Sequence, residues 1–171
     1  MRDRVGRRPL RALVCLLACA ASACQHLGAL GVSCSGASAD LDAAEPRRLH
    51  VRVELTRRGQ PQRHEVVVRV DPGHIVAVGL TPMGTQAFRV SHDRDGLVVD
   101  NRIGRYLEYR PELVYDAIAR AYLAGDPAQA EHGAHVTREA GGARVESDRC
   151  GYVARLVVVT DGPIRPVRPQ A

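Results

Sequence analysis

The chain is 171 residues long, and its formal charge of +5 comes from 24 arginines, with no lysine, against 19 acidic residues. Five of those arginines (Arg2, Arg4, Arg7, Arg8 and Arg11) and Asp3 lie in the first 23 residues, so 19 basic and 18 acidic residues remain beyond them, a net of +1. A basic excess spread over a domain points to nucleic acid; one confined to the N-terminus does not, and that partner class is set aside.

The N-terminus joins this arginine-rich start to an apolar run from Ala12 to Ala21, followed by small residues. That order is a secretory signal, and the run is too short to span a bilayer. It ends in Ala21-Ser22-Ala23-Cys24, which resembles a bacterial lipobox, whose cysteine is diacylated and becomes the first mature residue. Leu16-Leu17-Ala18-Cys19 also fits; Cys24 is preferred, because Cys19 would leave an apolar core of only Ala12 to Ala18. Gln25 stands where an inner-membrane retention signal would carry Asp, so the expected address is the periplasmic face of the outer membrane. Residues 25–46 are rich in Gly, Ala and Ser without a sustained period, the composition of a flexible tether.

Beyond the tether the pattern is mainly β. "LHVRVELTR" alternates strictly, with Leu49, Val51, Val53 and Leu55 on one face. "RRGQPQR" turns the chain, "HEVVVRV" is a second strand and "VDPG" a turn. "HIVAVGL" is apolar on both faces and reads as a central strand; "TQAFRVS", the turn "HDRDG" and "LVVDN" follow. Short strands at such regular intervals predict an antiparallel meander. "RPELVYDAIARAYLAGDP" then predicts a helix, with Pro111 at its first position, Glu112 near the positive end of the dipole and Gly125 as its stop. Leu113, Ala117 and Ala121 form its apolar stripe, flanked by Val114 and Ile118. Strands resume at "AHVTREA", "ARVESD" and "YVARLVVVT", with Gly141-Gly142 as a hairpin turn. The tail from 161 to 171 is proline-rich. With one Phe, five Tyr and no Trp, the core must come mainly from Val, Leu, Ile and Ala.

The expected division is a signal peptide over 1–23, a tether over 24–46, a curved antiparallel sheet with one helix over 47–160, and a tail over 161–171. Cys34 and Cys150 could form a disulfide in an oxidising envelope, contributing on the order of 4 kcal/mol through closure of so long a loop. His132 and His135 beside Glu131 fall short of the four ligands of a structural metal site. Asp93 and Asp95 lack the other ligands of a calcium loop. No nucleophile elbow, phosphate loop or zinc-protease motif occurs. The expectation is a protein without catalytic residues, metal or cofactor.

The turn Pro82-Met83-Gly84 stands apart. Pro at the second turn position and Gly at the fourth predict a type I turn followed by a left-handed glycine, which makes a three-residue hairpin loop with a bulge. Turn chemistry explains Pro82 and Gly84 and leaves Met83 over. Either Met83 folds back on a neighbour such as Leu80, or it protrudes.

"HIVAVGLTPMGTQAFRV", the following "DN-x-x-GRY" and the helix "PELVYDAIARAYLAG" resemble the central half of the outer-membrane lipoprotein receptor family of LolB. They resemble still more a bacterial lipoprotein family, domain of unknown function 3261, which shares the strand, "L-T/S-P-x-G", strand, helix order. The resemblance implies a LolA/LolB-like incomplete β-barrel with a helical lid over an apolar cavity suited to acyl chains. It implies that Met83 is a hydrophobic finger, and that Leu113, Val114, Ala117 and Ile118 line that cavity or seal the lid. The expected function is binding of a lipid or acyl-type ligand by a monomeric, lipid-anchored envelope protein, with a role in placing lipoproteins or lipids in the outer membrane. The alternative is a non-catalytic assembly partner in the envelope with no ligand cavity.

Overall fold

The computed structural model describes residues 39–42, 45–103, 110–126 and 133–163. The chain divides into two compact units, 1–33 and 34–171, and every described residue belongs to the second.

Eight strands form one antiparallel sheet: β1 (Arg47–Arg57), β2 (Gln60–Asp71), β3 (His74–Leu80), β4 (Gln86–Asp93), β5 (Gly96–Asn101), β6 (His135–Glu139), β7 (Gly142–Ser147) and β8 (Tyr152–Pro163). The spatial order is β5-β4-β3-β2-β1-β8-β7-β6, with β8 returning to pair with β1. The sheet is open, because β5 and β6 end the order without pairing to each other. The expected meander is present as two runs, β1 to β5 and β6 to β8. The middle belongs to β1 and β2, however, and β3 lies one place out. Its second apolar face, Val76 and Val78, is only half buried.

Alternation decides which face is inside. Leu49, Val51, Val53 and Leu55 of β1 and Val66, Val68 and Val70 of β2 are all buried on one side. Arg52, Glu54 and Glu65 stand on the other, where His50 and Arg52 reach Glu65 and Arg63 reaches Glu54. Two connections are tighter than the sequence pattern indicates. β1 and β2 are joined by Arg58 and Gly59 alone, both left-handed at φ +50° and +78°. That leaves "QPQR" inside β2, and Pro61 is tolerated because β3 pairs only from Glu65 onward. β6 and β7 are joined by Ala140-Gly141, so the expected Gly141-Gly142 turn is shifted by one residue. Gly142 instead begins a strand, and a Cβ there would stand 2.2 Å from the Leu156 carbonyl oxygen on β8. β8 extends to Pro163, three residues past the expected domain boundary.

The inner face is covered by α1 (Pro111–Ile118), which continues as a π-helical turn over Ala119–Leu123. Arg110 is extended at φ −88°, ψ 128°, as a residue before proline must be. The helix ends because Ala124 becomes extended. Gly125, the expected stop, lies one residue beyond, and a Cβ there would meet the Asp40 carboxylate at 2.5 Å. Successive residues of α1 reach strands far apart in sheet order. Tyr115 Oη lies 2.8 Å from His92 Nδ1 on β4, and the Tyr152 hydroxyl of β8 donates to Asp116 at 2.6 Å. In a flat sheet those strands would stand about 19 Å apart, four neighbour spacings. Adjacent residues of α1 thus tie β4 to β8 across the three strands between them.

Part of the expected tether is docked. The Asp40 amide donates to the Leu123 carbonyl, the Gly73 amide to the Leu41 carbonyl, and Arg94 to the Asp42 carboxylate. Ala39 and Leu41 pack against the core.

Candidate functional site

The β3–β4 hairpin closes as the turn residues predict. The Gly84 amide donates to the Thr81 carbonyl at 2.9 Å, which is the type I turn, and Gly84 is left-handed at φ +76°. The Thr81 amide donates to the Thr85 carbonyl at 2.8 Å. The two threonine hydroxyls stand 2.8 Å apart, and the Thr85 amide also reaches Thr81 Oγ1 at 3.2 Å. Met83, at the apex, is 91% exposed and does not fold back on Leu80.

Below the turn the ladder is irregular. Leu80 pairs with Gln86 and Gly79 with Phe88, so Ala87 is the extra residue of a bulge and both Ala87 and Phe88 are buried. The Phe88 ring lies over Gly79, where a Cβ would stand 2.1 Å from it. His64 packs its ring at 6.1 Å from that of Phe88. Burial holds the His64 imidazole down to about 4, so it is neutral near pH 7.

The β1–β2 hairpin extends past the last β2–β3 pair, Glu65 with Leu80, and projects from the same end of the sheet as Met83. Between the two hairpins is an open cleft of about 340 Å³, lined by Arg52, Arg63, His64, Leu80, Thr81 and Pro82 among others. Glu65 lines it as well, and both guanidinium groups are bonded to carboxylates, Arg52 to Glu65 and Arg63 to Glu54.

The helix residues expected to line a cavity or seal a lid are closed directly against the sheet. Leu113 is 2% exposed, and Val114, Ala117 and Ile118 are fully buried. Neither the cleft between the hairpins nor the one lined by Asp40, Arg47 and Tyr122 is lined by any of the four. Beside them lies a cluster that sequence reasoning missed. Asp116 Oδ2 accepts from Arg120 Nε at 2.9 Å and from the Tyr152 hydroxyl at 2.6 Å, with Asp116 fully buried. Burial pushes the Asp116 carboxyl up, against the lowering pull of Arg120 and Tyr152. For Arg120, burial pulls the other way, and the bond and charge of Asp116 prevail and hold it protonated. Asp116 and Arg120 are four apart, the spacing of an ordinary surface pair. Only Tyr152, 36 residues on, reveals that they face inward.

Cys24, Cys19 and Cys34 lie outside the described residues, as do Glu131 and His132. Cys150 is buried at the β7–β8 connection, and its expected pairing with Cys34 falls outside what is described. Asp93 Oδ1 accepts from the Asp95 amide at 2.9 Å, capping a turn. His135 is an exposed residue at the start of β6.

Compared with known families, residues 49–168 match the model described as protein of unknown function (DUF3261). No curated protein matches the chain.

Proposed function

The chain belongs to the DUF3261 family, and we propose that it is a lipid-anchored envelope protein that engages lipid or acyl chains through the Met83 hairpin. In this reading Cys24 carries the anchor on the periplasmic face of the outer membrane, and the protein assists placement of lipoproteins or lipids there. A LolA/LolB-like relationship is part of the proposal; the order strand, proline-glycine turn, strand, helix supports it. So does an open antiparallel sheet with a helix packed on one face. The role needs no bond-making chemistry, metal or cofactor.

The observation that carries the proposal is the 91% exposure of Met83 on a hairpin held by its own hydrogen bonds. Moving a methionine side chain from water into an apolar phase is worth about 2 kcal/mol, or about thirtyfold in affinity. Flotation of residues 34–171 with lipid vesicles tests this. Met83→Glu should lower binding by at least that factor at unchanged melting temperature, and equal binding by parent and variant removes the finger.

A second reading is favoured by the complete burial of Leu113, Val114, Ala117 and Ile118: an assembly partner with a filled core. Native mass spectrometry separates the two. Co-purifying lipid supports the acyl-binding reading; a clean apo mass with no uptake of a fluorescent fatty acid supports the assembly partner.

A further inference from the structure

The two ends of the sheet differ in charge. Residues 57–63, which form the hairpin beside the Met83 turn, carry Arg57, Arg58 and Arg63 and no acid. Arg63 is 78% exposed and bonded to Glu54, whereas Arg57 and Arg58 make no ion pair among the described residues. Also toward this end, Asp100 is bonded to Arg102, Arg52 to Glu65, and Asp148 and Arg149 are adjacent in sequence. The far end carries more acid. Asp93 and Asp95 flank Arg94 in the β4–β5 connection, Asp71 is bonded to Arg69, and Arg47, bonded to Asp161, and Arg48 stand there too. The segment docked there adds Asp40 and Asp42.

Position makes this arrangement informative. The apolar tip, Arg57 and Arg58, and the cleft of about 340 Å³ all lie at one end. A residue that enters an acyl layer must pass the headgroups, so groups beside its base meet phosphate oxygens. Arginine suits that layer, because its planar fork bonds phosphate in pairs and its stem tolerates apolar surroundings. The acidic end would be repelled by the same surface, so the charges also orient the molecule.

We propose that the finger end is a docking surface for an anionic phospholipid layer, with Met83 among the acyl chains and Arg57, Arg58 and Arg63 on the headgroups. This rests on the reading of Met83 as a lipid-engaging residue, and adds a lipid class and an orientation to it. Each arginine near an anionic surface accounts for about fivefold in affinity.

The test uses residues 34–171 with vesicles of phosphatidylcholine alone and of phosphatidylcholine with phosphatidylglycerol. Arg57→Gln together with Arg58→Asn removes both unpaired charges, and asparagine tolerates the left-handed backbone of position 58. The parent should favour anionic vesicles, and that preference should shrink as salt rises. The double variant should lose about 25-fold on anionic vesicles and nothing on neutral ones, while Arg94→Gln, at the far end, should not weaken binding. Equal parent binding to both vesicle types, or parent-like binding by the double variant, overturns the headgroup assignment. If that binding still depends on Met83, the acyl-engaging reading survives. Binding to neither vesicle overturns the docking surface, and fatty-acid uptake then judges the acyl reading separately.

Discussion

The Met83 hairpin and the α1 interface break the usual sorting of side chains in opposite directions. At the hairpin a large apolar group is 91% exposed; beneath the helix an aspartate is fully buried and an arginine 6% exposed. The hairpin is held by bonds among Thr81, Gly84 and Thr85, so its shape depends on residues within five positions of each other. Asp116 gains its bond from Tyr152 only where β8 reaches the helix. Altering a local device disturbs only its chain neighbours, whereas altering a tertiary one disturbs segments far apart in the chain.

The largest effect should come from breaking the interior cluster. Asp116→Ala leaves the Arg120 charge buried without that partner and should cost about 3–5 kcal/mol in denaturant unfolding. Replacing Asp116, Arg120 and Tyr152 together by Leu, Met and Phe should return stability to within about 2 kcal/mol of the parent. A triple variant as unstable as the single one would show that the cluster does more than satisfy itself.

Next comes the contact below the finger. Gly79→Ala would force the Phe88 ring away from the strand and should cost about 1–3 kcal/mol through overpacking. Gly84→Ala, by contrast, meets no atom within 4 Å, and its cost of about 1–2 kcal/mol comes from left-handed backbone alone. At the tip itself, Met83→Ser should change stability by no more than about 0.5 kcal/mol. A larger loss would mean that Met83 packs in solution, against its exposure here.

The finest test is pH. His64, under the finger, is held down to about 4 from an ordinary 6.5 by burial. Between those values the unfolded chain binds a proton that the folded chain does not, so stability falls as pH drops from about 6.5 to about 4 and is level above. His64→Gln should flatten that part of the stability profile, and an unchanged slope would place the titration elsewhere.

Much of the fold was legible. Strict alternation in β1 named the inward face, and Pro82 and Gly84 specified the turn that forms. Other features were hidden because nothing within the segment distinguishes them. The Ala87 bulge turns two neighbours inward where alternation allows one, and Gly142, read as a turn glycine, is required by the Leu156 carbonyl of another strand. The π-helical turn at Ala119–Leu123 has no marker in its composition. Of the expected site residues, Met83 took the protruding position, and the helix residues went to a packed interface.

By itself, the sequence determined where chain direction reverses and which side of each strand is apolar, because turn geometry and two-residue alternation are local properties. It also specified the hairpin turn that forms at Pro82-Met83-Gly84. Only the tertiary structure decided that Asp116 and Arg120 face inward, that residues 39–42 dock, and that Met83 and the β1–β2 arginines share one end. Those outcomes depend on which strands meet which helix face, and that is set by the closing of β8 onto β1, some hundred residues apart in the chain.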